Sequence, residues 1–290
     1  MKEWFRNYGK VTTVIILFSG SLWSVFFLVL SLQPAKLKVS FFDVGQGDAI
    51  FIQTPSGHEM LIDGGPTNKI LEQLGKHMSY FDDDIDIVVA THGDADHVTG
   101  LIPVLEKYAV DKIVVSPVES RTGIFDDLKK HIDNEGAEIH TAQISDVIDF
   151  HDGVIATILY PTKNYREKKN DTNDASVSMV LSYGNNTFLL TGDLPSTREP
   201  QLLTKDLPKN ITVYKAGHHG SKYSSGEILL KYIRPEYTAL SVGKDNRYGH
   251  PNSEVIERLQ KYTKEILSTM TQGTISFITD GRLIEVKTSK

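Results

Sequence analysis

The stretch Thr91-His92-Gly93-Asp94-Ala95-Asp96-His97 constrains this chain most. Four side chains that can hold a metal, His92, Asp94, Asp96 and His97, lie within six residues. Ile85 to Ala90, just before them, reads as a short buried strand. Val98 to Lys107, just after, carries apolar residues at helical spacing. The cluster is therefore expected on a strand-to-helix loop, and in mixed α/β folds ligands bind outside the carboxyl ends of the strands. A loop is also expected locally, because a regular helix or strand does not turn neighbouring residues such as Asp96 and His97 to one point. An Asp-rich turn is by itself an ordinary helix start. Four such residues together, with further His and Asp downstream, point to a metal. Carboxylate mixed with imidazole suits zinc, manganese or iron better than calcium. There is no cysteine, so disulfides and thiolate sites are excluded.

The chain opens with an uncharged apolar run, Val11 to Leu32, preceded by Lys2, Arg6 and Lys10. As a helix it is long enough to cross a bilayer core of roughly 30 Å. The preceding positive charges put the N-terminus in the cytoplasm and the rest outside. A cleaved signal peptide is the alternative, but its apolar region is usually about 7–15 residues, and Gln33-Pro34-Ala35 is a poor cleavage site. The expectation is a short cytoplasmic segment over 1–10, a transmembrane signal anchor over 11–32, and one folded domain over 36–288.

Beyond Pro34 the pattern alternates between strands and helices. Strands are expected at Leu37–Asp43, Ala49–Thr54, His58–Asp63, Asp111–Ser116, Glu138–Thr141 and Gly153–Tyr160. Later strands are expected at Ser176–Tyr183, Thr187–Thr191, Thr212–Lys215, Tyr237–Val242, Ile275–Thr279 and Leu283–Lys287. Helices are expected at Asn68–His77, Ile124–Glu135, Ser196–Thr204, Gly226–Ile233 and Ser253–Tyr262. Lys163–Asp174 is polar and reads as a loop. About 40% apolar content supports a sizeable core, and the mixture suggests two sheets between helical layers.

Further motifs give the cluster company: Phe42-Asp43-Val44-Gly45-Gln46-Gly47-Asp48, Leu61-Ile62-Asp63-Gly64-Gly65, Thr191-Gly192-Asp193, His218-His219-Gly220-Ser221 and Tyr248-Gly249-His250-Pro251. With His-x-Asp-x-Asp-His at 92–97, this ordered set resembles the metallo-β-lactamase superfamily. Within it, the Asp94 variant is similar to the C-terminal hydrolase domain of the ComEC competence proteins. The resemblance implies an α/β (α+β) αββα metallo-β-lactamase sandwich, here preceded by the one transmembrane helix. It implies two divalent metal ions, Zn or Mn, with His92 and Asp94 on the first and Asp96, His97 and His219 on the second. Asp193 would bridge them. Catalytic roles fall to Asp96, His218 and His250, with His218 a proton donor or a partner to the ligands. The reverse assignment of His218 and His219 stays open. Asp48 and Asp63 are supporting carboxylates or, failing that, turn caps. Where the superfamily often supplies a further His, this chain has Asn173, Asp174 or Ser176. With Asp94 also replacing a His, the first site is richer in oxygen, which favours manganese or magnesium.

The net charge of −6 deepens once the basic N-terminal residues are set aside, unlike the broad basic face of a tight duplex binder. Lys215, Lys222, Lys244 and Arg247 lie near the motif loops and are candidates for local positive charge against a phosphate. The function expected is a membrane-anchored, extracytoplasmic metal-dependent hydrolase. Its substrate would be a phosphodiester: single-stranded DNA in competence machinery, or a cell-wall polymer as for the phosphorylcholine esterases. A non-catalytic envelope binding protein is the alternative from another class.

Overall fold

The computed structural model describes residues 17–24, 36–162, 165 and 172–290. The chain divides into two units, Met1–Ala35 and Lys36–Lys290. In the first, residues 17–24 are helical. The rest of the expected anchor, and the cytoplasmic segment before it, lie outside the described residues. Among the described residues no helix is long and apolar enough to cross a membrane.

The second unit is built on two sheets. In the first, β1 (Leu37–Phe41), β2 (Ile50–Gln53) and β3 (Glu59–Ile62) form an antiparallel meander. β4 (Asp84–Ala90), β5 (Ala109–Val115) and β6 (Glu138–Thr141) then continue it in parallel from β3. On the other side of β1 the sheet is completed by β14 (Ile275–Thr279) and β15 (Ile284–Thr288), giving the order β15-β14-β1-β2-β3-β4-β5-β6. The second sheet uses β7 (Val147–Asp149), β8 (Val154–Tyr160), β9 (Ser178–Tyr183), β10 (Asn186–Leu190), β11 (Val213–Lys215), β12 (Tyr237–Leu240) and β13 (Glu265–Ser268). Its order is β13-β12-β11-β10-β9-β8-β7, parallel from β10 to β13.

Strand alternation sorts each side chain into a layer. Phe41, Met60, Val89, Phe188, Leu190 and Phe277 meet between the sheets. Phe51, Leu61, Val88 and Ile113 point outward, under the helices Lys69–His77, Leu101–Lys107 and Gly123–Glu135. Leu189, Tyr214 and Leu240 do the same on the second sheet, under Glu227–Ile233 and Ser253–Tyr262. The result is the expected four-layer sandwich, helices outside and two sheets within.

Three local expectations change. The helix after the metal loop starts earlier, as Ala95–Val98, and restarts at Leu101. At the break Gly100 keeps helical torsions but donates its N–H to the Gly65 carbonyl at 2.9 Å, and a side chain there would strike the Gly64 carbonyl. Ser196–Thr204 forms only a 3₁₀ turn, Glu199–Leu202, since Pro200 brings no N–H to a regular helix. β7 and β13, both sheet-edge strands, carried too few apolar residues to be recognised.

The parallel segments fix where chemistry is placed. β3, β4, β10, β11 and β12 run toward the same rim, so Asp63, Thr91-His92, Asp193, His218-His219 and Ser241 follow directly from their carboxyl ends.

Candidate metal centre

β4 is buried along its last four residues and delivers Thr91 and His92 at the rim. Asp94 takes extended backbone at the N-cap of Ala95–Val98. Asp96 and His97 therefore stand in the first helical turn, not on a loop as expected. They still converge: Asp96 Oδ2 lies 3.4 Å and His97 Nε2 3.3 Å from His219 Nε2. The imidazole reaches inward and the shorter carboxylate reaches across, so a helical turn serves both. His218 and His219 adopt left-handed backbone, φ 48° and 54°. That unusual pair of torsions bends the chain after β11 so that the His219 ring enters the cluster.

The tautomers of three imidazoles follow from their partners. His97 Nδ1 donates to Asp63 Oδ2 at 2.8 Å. His219 Nδ1 donates to the Ser241 carbonyl at 2.9 Å. The Thr91 hydroxyl gives its proton to Asp63 Oδ2 at 2.7 Å, so His92 Nδ1 donates to Thr91 Oγ1 at 2.9 Å. Each ring thereby turns its Nε2 away from that partner, and His92 Nε2 is buried without a hydrogen-bond partner. Rings held by their other nitrogen in this way are the usual form of metal-ligating histidine. Asp193 Oδ2 completes the group, 3.3 Å from His97 Nε2 and 3.4 Å from His219 Nε2. Among the described residues, four sets of ligand atoms are close enough to share a cation: His92–His97–Asp193, Asp96–His97–His219, Asp48–Asp63–His97 and Asp48–Asp193–His219. The residues present fit a divalent metal.

Electrostatics agree. Burial opposes charge on His97 and His219, but Asp193, with Asp63 for His97 and Asp48 for His219, outweighs it and raises both well above the usual histidine value. Burial dominates at His92 and pulls it down to about 4, so it stays neutral. Burial also opposes charge on Asp96, yet His219 and His97 hold its carboxyl down to about 2. Asp193 is held low against burial by the same two rings. The pocket therefore favours positive charge, which protons or a metal can supply.

The remaining residues from the sequence fall at graded distances. Asp94 Oδ2 is 3.9 Å from His92 Nε2, while its Oδ1 accepts from the Thr172 hydroxyl. Asp94 stands at the open edge of the cluster. Asp63 supports His97 and Thr91, and Asp48 is buried against Lys215. His218 Nε2 lies 3.6 Å from Asp193 Oδ2, with its ring partly exposed. His250 packs 5.8 Å from the His218 ring. Asp174 pairs with Arg198 at 2.6 Å and so is turned to a different partner, and Asn173 opens the 3₁₀ turn Asn173–Ala175. Ser176 accepts from the Asp193 N–H at 3.2 Å.

Lys215 is not a surface charge for phosphate: it is fully buried beneath the cluster. Thr91 and Ser241 are supporting residues the sequence reading missed. Thr91 was quoted only as a flank of the motif, and nothing in the sequence marks a backbone carbonyl such as that of Ser241. Arg247 and Tyr248 line an open groove of about 720 Å³ that also contacts Asp94, Asp96, Gln46 and Asn246.

Comparison with known proteins places this geometry. The family model described as the metallo-beta-lactamase superfamily matches residues 42–140. ComE operon protein 3 of Bacillus subtilis (strain 168) is 26% identical over 257 residues, which are 83% of this chain and 33% of that protein. Competence protein ComA of Neisseria gonorrhoeae is 28% identical over 247 residues, 83% of this chain and 32% of that protein. The chain thus spans about a third of the length of these curated relatives. Among solved structures, the metallo-beta-lactamase fold protein YhfI from Bacillus subtilis covers 82% of this chain and 98% of its own at TM-score 0.53 and 10% identity. That likeness establishes the fold. The resemblance drawn from the motifs is borne out.

Proposed function

We propose that the chain carries a metallo-beta-lactamase superfamily domain like those of the competence proteins it resembles, and that it is a metal-dependent phosphodiesterase acting on DNA. The observation that carries this reading is the convergence of the buried His97 and His219 Nε2 atoms on the Asp193 carboxylate, at 3.3 and 3.4 Å, with His92 in the same cluster and each of the three rings fixed through its Nδ1. Two divalent cations, zinc or manganese, would be held by His92 and Asp94 on one side and by Asp96, His97 and His219 on the other, with Asp193 between. Bound there, they supply charge for an attacking and a leaving oxygen.

The protein's own groups do the rest. Asp63 keeps His97 oriented, and Thr91 does so for His92. His218 stands beside Asp193 with the His250 ring 5.8 Å from its own, and one of the two can return a proton to the leaving oxygen. Arg247 and Tyr248 on the groove wall offer a phosphate and a base a cation and a ring. The apolar run Val11–Leu32 would anchor the chain with this domain outside the cytoplasm, among competence or envelope machinery.

The test is metal analysis of the purified chain together with hydrolysis of single-stranded DNA, duplex DNA and bis-p-nitrophenyl phosphate in Mn²⁺ or Zn²⁺. About two metals per chain and chelator-sensitive cleavage are expected. A folded protein that takes up no metal and cleaves none of these sinks the reading. Cleavage of the model diester without cleavage of DNA would move the substrate to a different phosphodiester.

A further inference from the structure

Among the described residues Lys215 is the one buried lysine. It ends β11, a strand paired on both sides, with Lys215 opposite Ala239 of β12. Its ammonium donates to Asp48 Oδ2 at 2.5 Å and to the Gly192 carbonyl at 3.0 Å, and faces Asp193 Oδ1 at 3.6 Å. The two carboxylates come from different layers. Asp48 lies on the loop between β1 and β2 of the first sheet, and Asp193 on the loop after β10 of the second. Lys215 thus joins the two sheets directly beneath the histidines.

The two oxygens of Asp193 are divided between two surroundings. Oδ2 faces His97, His219 and His218 nitrogens at 3.3, 3.4 and 3.6 Å. Oδ1 faces Lys215 and is buried with no hydrogen-bond partner. With positive charge behind Oδ1 as well as ahead of Oδ2, the carboxylate is held from both ends. We infer that Lys215 is a positioning residue of the metal centre, holding Asp193 with Oδ2 forward while neutralising Asp48 behind it. This rests on the reading of the cluster as a metal centre. It gives Asp48 a different part from the other carboxylates: its Oδ2 is met by Lys215 at 2.5 Å, while its Oδ1 lies buried without a hydrogen-bond partner, 3.4 Å from His219 Nδ1. A plain counter-ion to Asp48 would make the opposite prediction, since removing both charges together would then leave the centre intact.

The test is Mn²⁺ titration of the metal-free full chain by calorimetry, with circular dichroism on the same samples. Lys215→Met keeps the unbranched side chain as far as Cε and removes its charge, but strands Asp48 in the interior and can unfold the protein. The double variant Lys215→Met/Asp48→Asn removes the pair together, and Asp48→Asn alone retains the lysine. The double variant is expected to fold and to bind Mn²⁺ at least about ten-fold more weakly than wild type, as loss of a group that orients a ligand usually does. Asp48→Asn alone is expected to bind at least about three-fold more tightly than the double variant, because Lys215 still faces Asp193, and equal affinity in the two overturns the proposal. A folded double variant that binds like wild type overturns the proposal and leaves the metal centre standing. A double variant that does not fold makes the role of Lys215 one of stability, and also overturns it. Wild-type protein that binds no Mn²⁺ overturns the metal reading and this proposal with it.

Discussion

Asp193 is the residue on which the candidate chemistry turns. It is buried, it faces three imidazoles, and its charge is shared between them and Lys215. In the proposed two-metal site, Asp193→Ala would leave two cations facing each other with less negative charge between them. It is expected to lower diesterase rate by about 10²-fold or more, while circular dichroism stays native because one rim residue contributes little to the inter-sheet core. A folded Asp193→Ala protein with full metal content and near-normal rate would remove Asp193 from the site. Asp94 makes a finer case. It stands at the exposed edge, 3.9 Å from His92 Nε2, where an added imidazole would supply nitrogen in place of oxygen. Asp94→His is expected to shift metal preference from Mn²⁺ toward Zn²⁺ in competition binding. An unchanged preference would count against Asp94 as a ligand.

The residues the sequence announced were those with unusual chemistry, such as paired histidines and clustered aspartates. Lys215 shows the limit: a lysine near motif loops reads as solvent-facing, and only the fold reveals that Asp48 arrives from the other sheet to make its burial tolerable. Ser241 shows another, because a backbone carbonyl can be contributed by any residue type.

At the level of elements, the loop Gly45–Asp48 and the helical turn Ala95–Val98 interlock. Asp48 N–H donates to the Asp96 carbonyl at 3.3 Å, and a side chain at Gly47 would strike that same carbonyl. Gly47 also has φ +139°, which few other residues accept. Gly47→Ala is expected to push Asp96 and His97 away from His219. It should weaken metal binding and lower unfolding free energy by about 1–3 kcal/mol. Denaturant titration and calorimetry would check both, and a variant with unchanged stability and affinity would show that the turn is free to shift.

A second element-level coupling involves Glu199. Its carboxylate accepts from Ser225 N–H at 2.6 Å and Gly226 N–H at 2.7 Å, fixing the segment between the histidine loop and the helix Glu227–Ile233. Burial pushes its carboxyl up to about 7, against those hydrogen bonds and Arg258. The folded protein therefore keeps a proton that the unfolded chain, at 4.5, releases. The stability this group adds is present below the unfolded value and is lost as pH rises through about 7. Glu59, also raised to about 7, contributes in the same direction, so the comparison is between wild type and variant. Glu199→Gln is expected to flatten urea-unfolding stability between pH 5 and pH 8 by up to about 3 kcal/mol. Its baseline should be lower, because an amide NH₂ cannot accept from a backbone N–H. An identical slope in wild type and variant would exclude Glu199 as its source.

For the whole molecule, the four-layer architecture could be read from the order of apolar stretches and the turn residues between them, because strand and helix periods differ sharply. What could not be read was pairing. β7 and β13 are edge strands with exposed faces, and sequence patterning is weakest where burial is least. The pairing of β1 with β14, which stands on neither side's local pattern, was equally hidden. The orientation expected from Lys2, Arg6 and Lys10 before the apolar run is open to a direct measurement. Protease added outside intact protoplasts is expected to digest the domain that begins near Lys36. Protection until the membrane is permeabilised would refute the outward placement.

The pairing of β1 with β14 carries a temporal consequence. Leu37 lies opposite Thr279, so one of the first strands of the domain to emerge from a ribosome waits for one of the last. Until synthesis passes Thr279, β1 has an open edge, and Phe41 lacks the Phe277 ring that meets it edge-on at 5.8 Å. Contacts of such long sequence separation form slowly, and an unpaired strand edge is a template for pairing with a neighbouring chain. The nascent domain is therefore most vulnerable to intermolecular pairing just before its C-terminus is released. Chains stalled short of Ile275 should bind holding factors that fully translated chains escape.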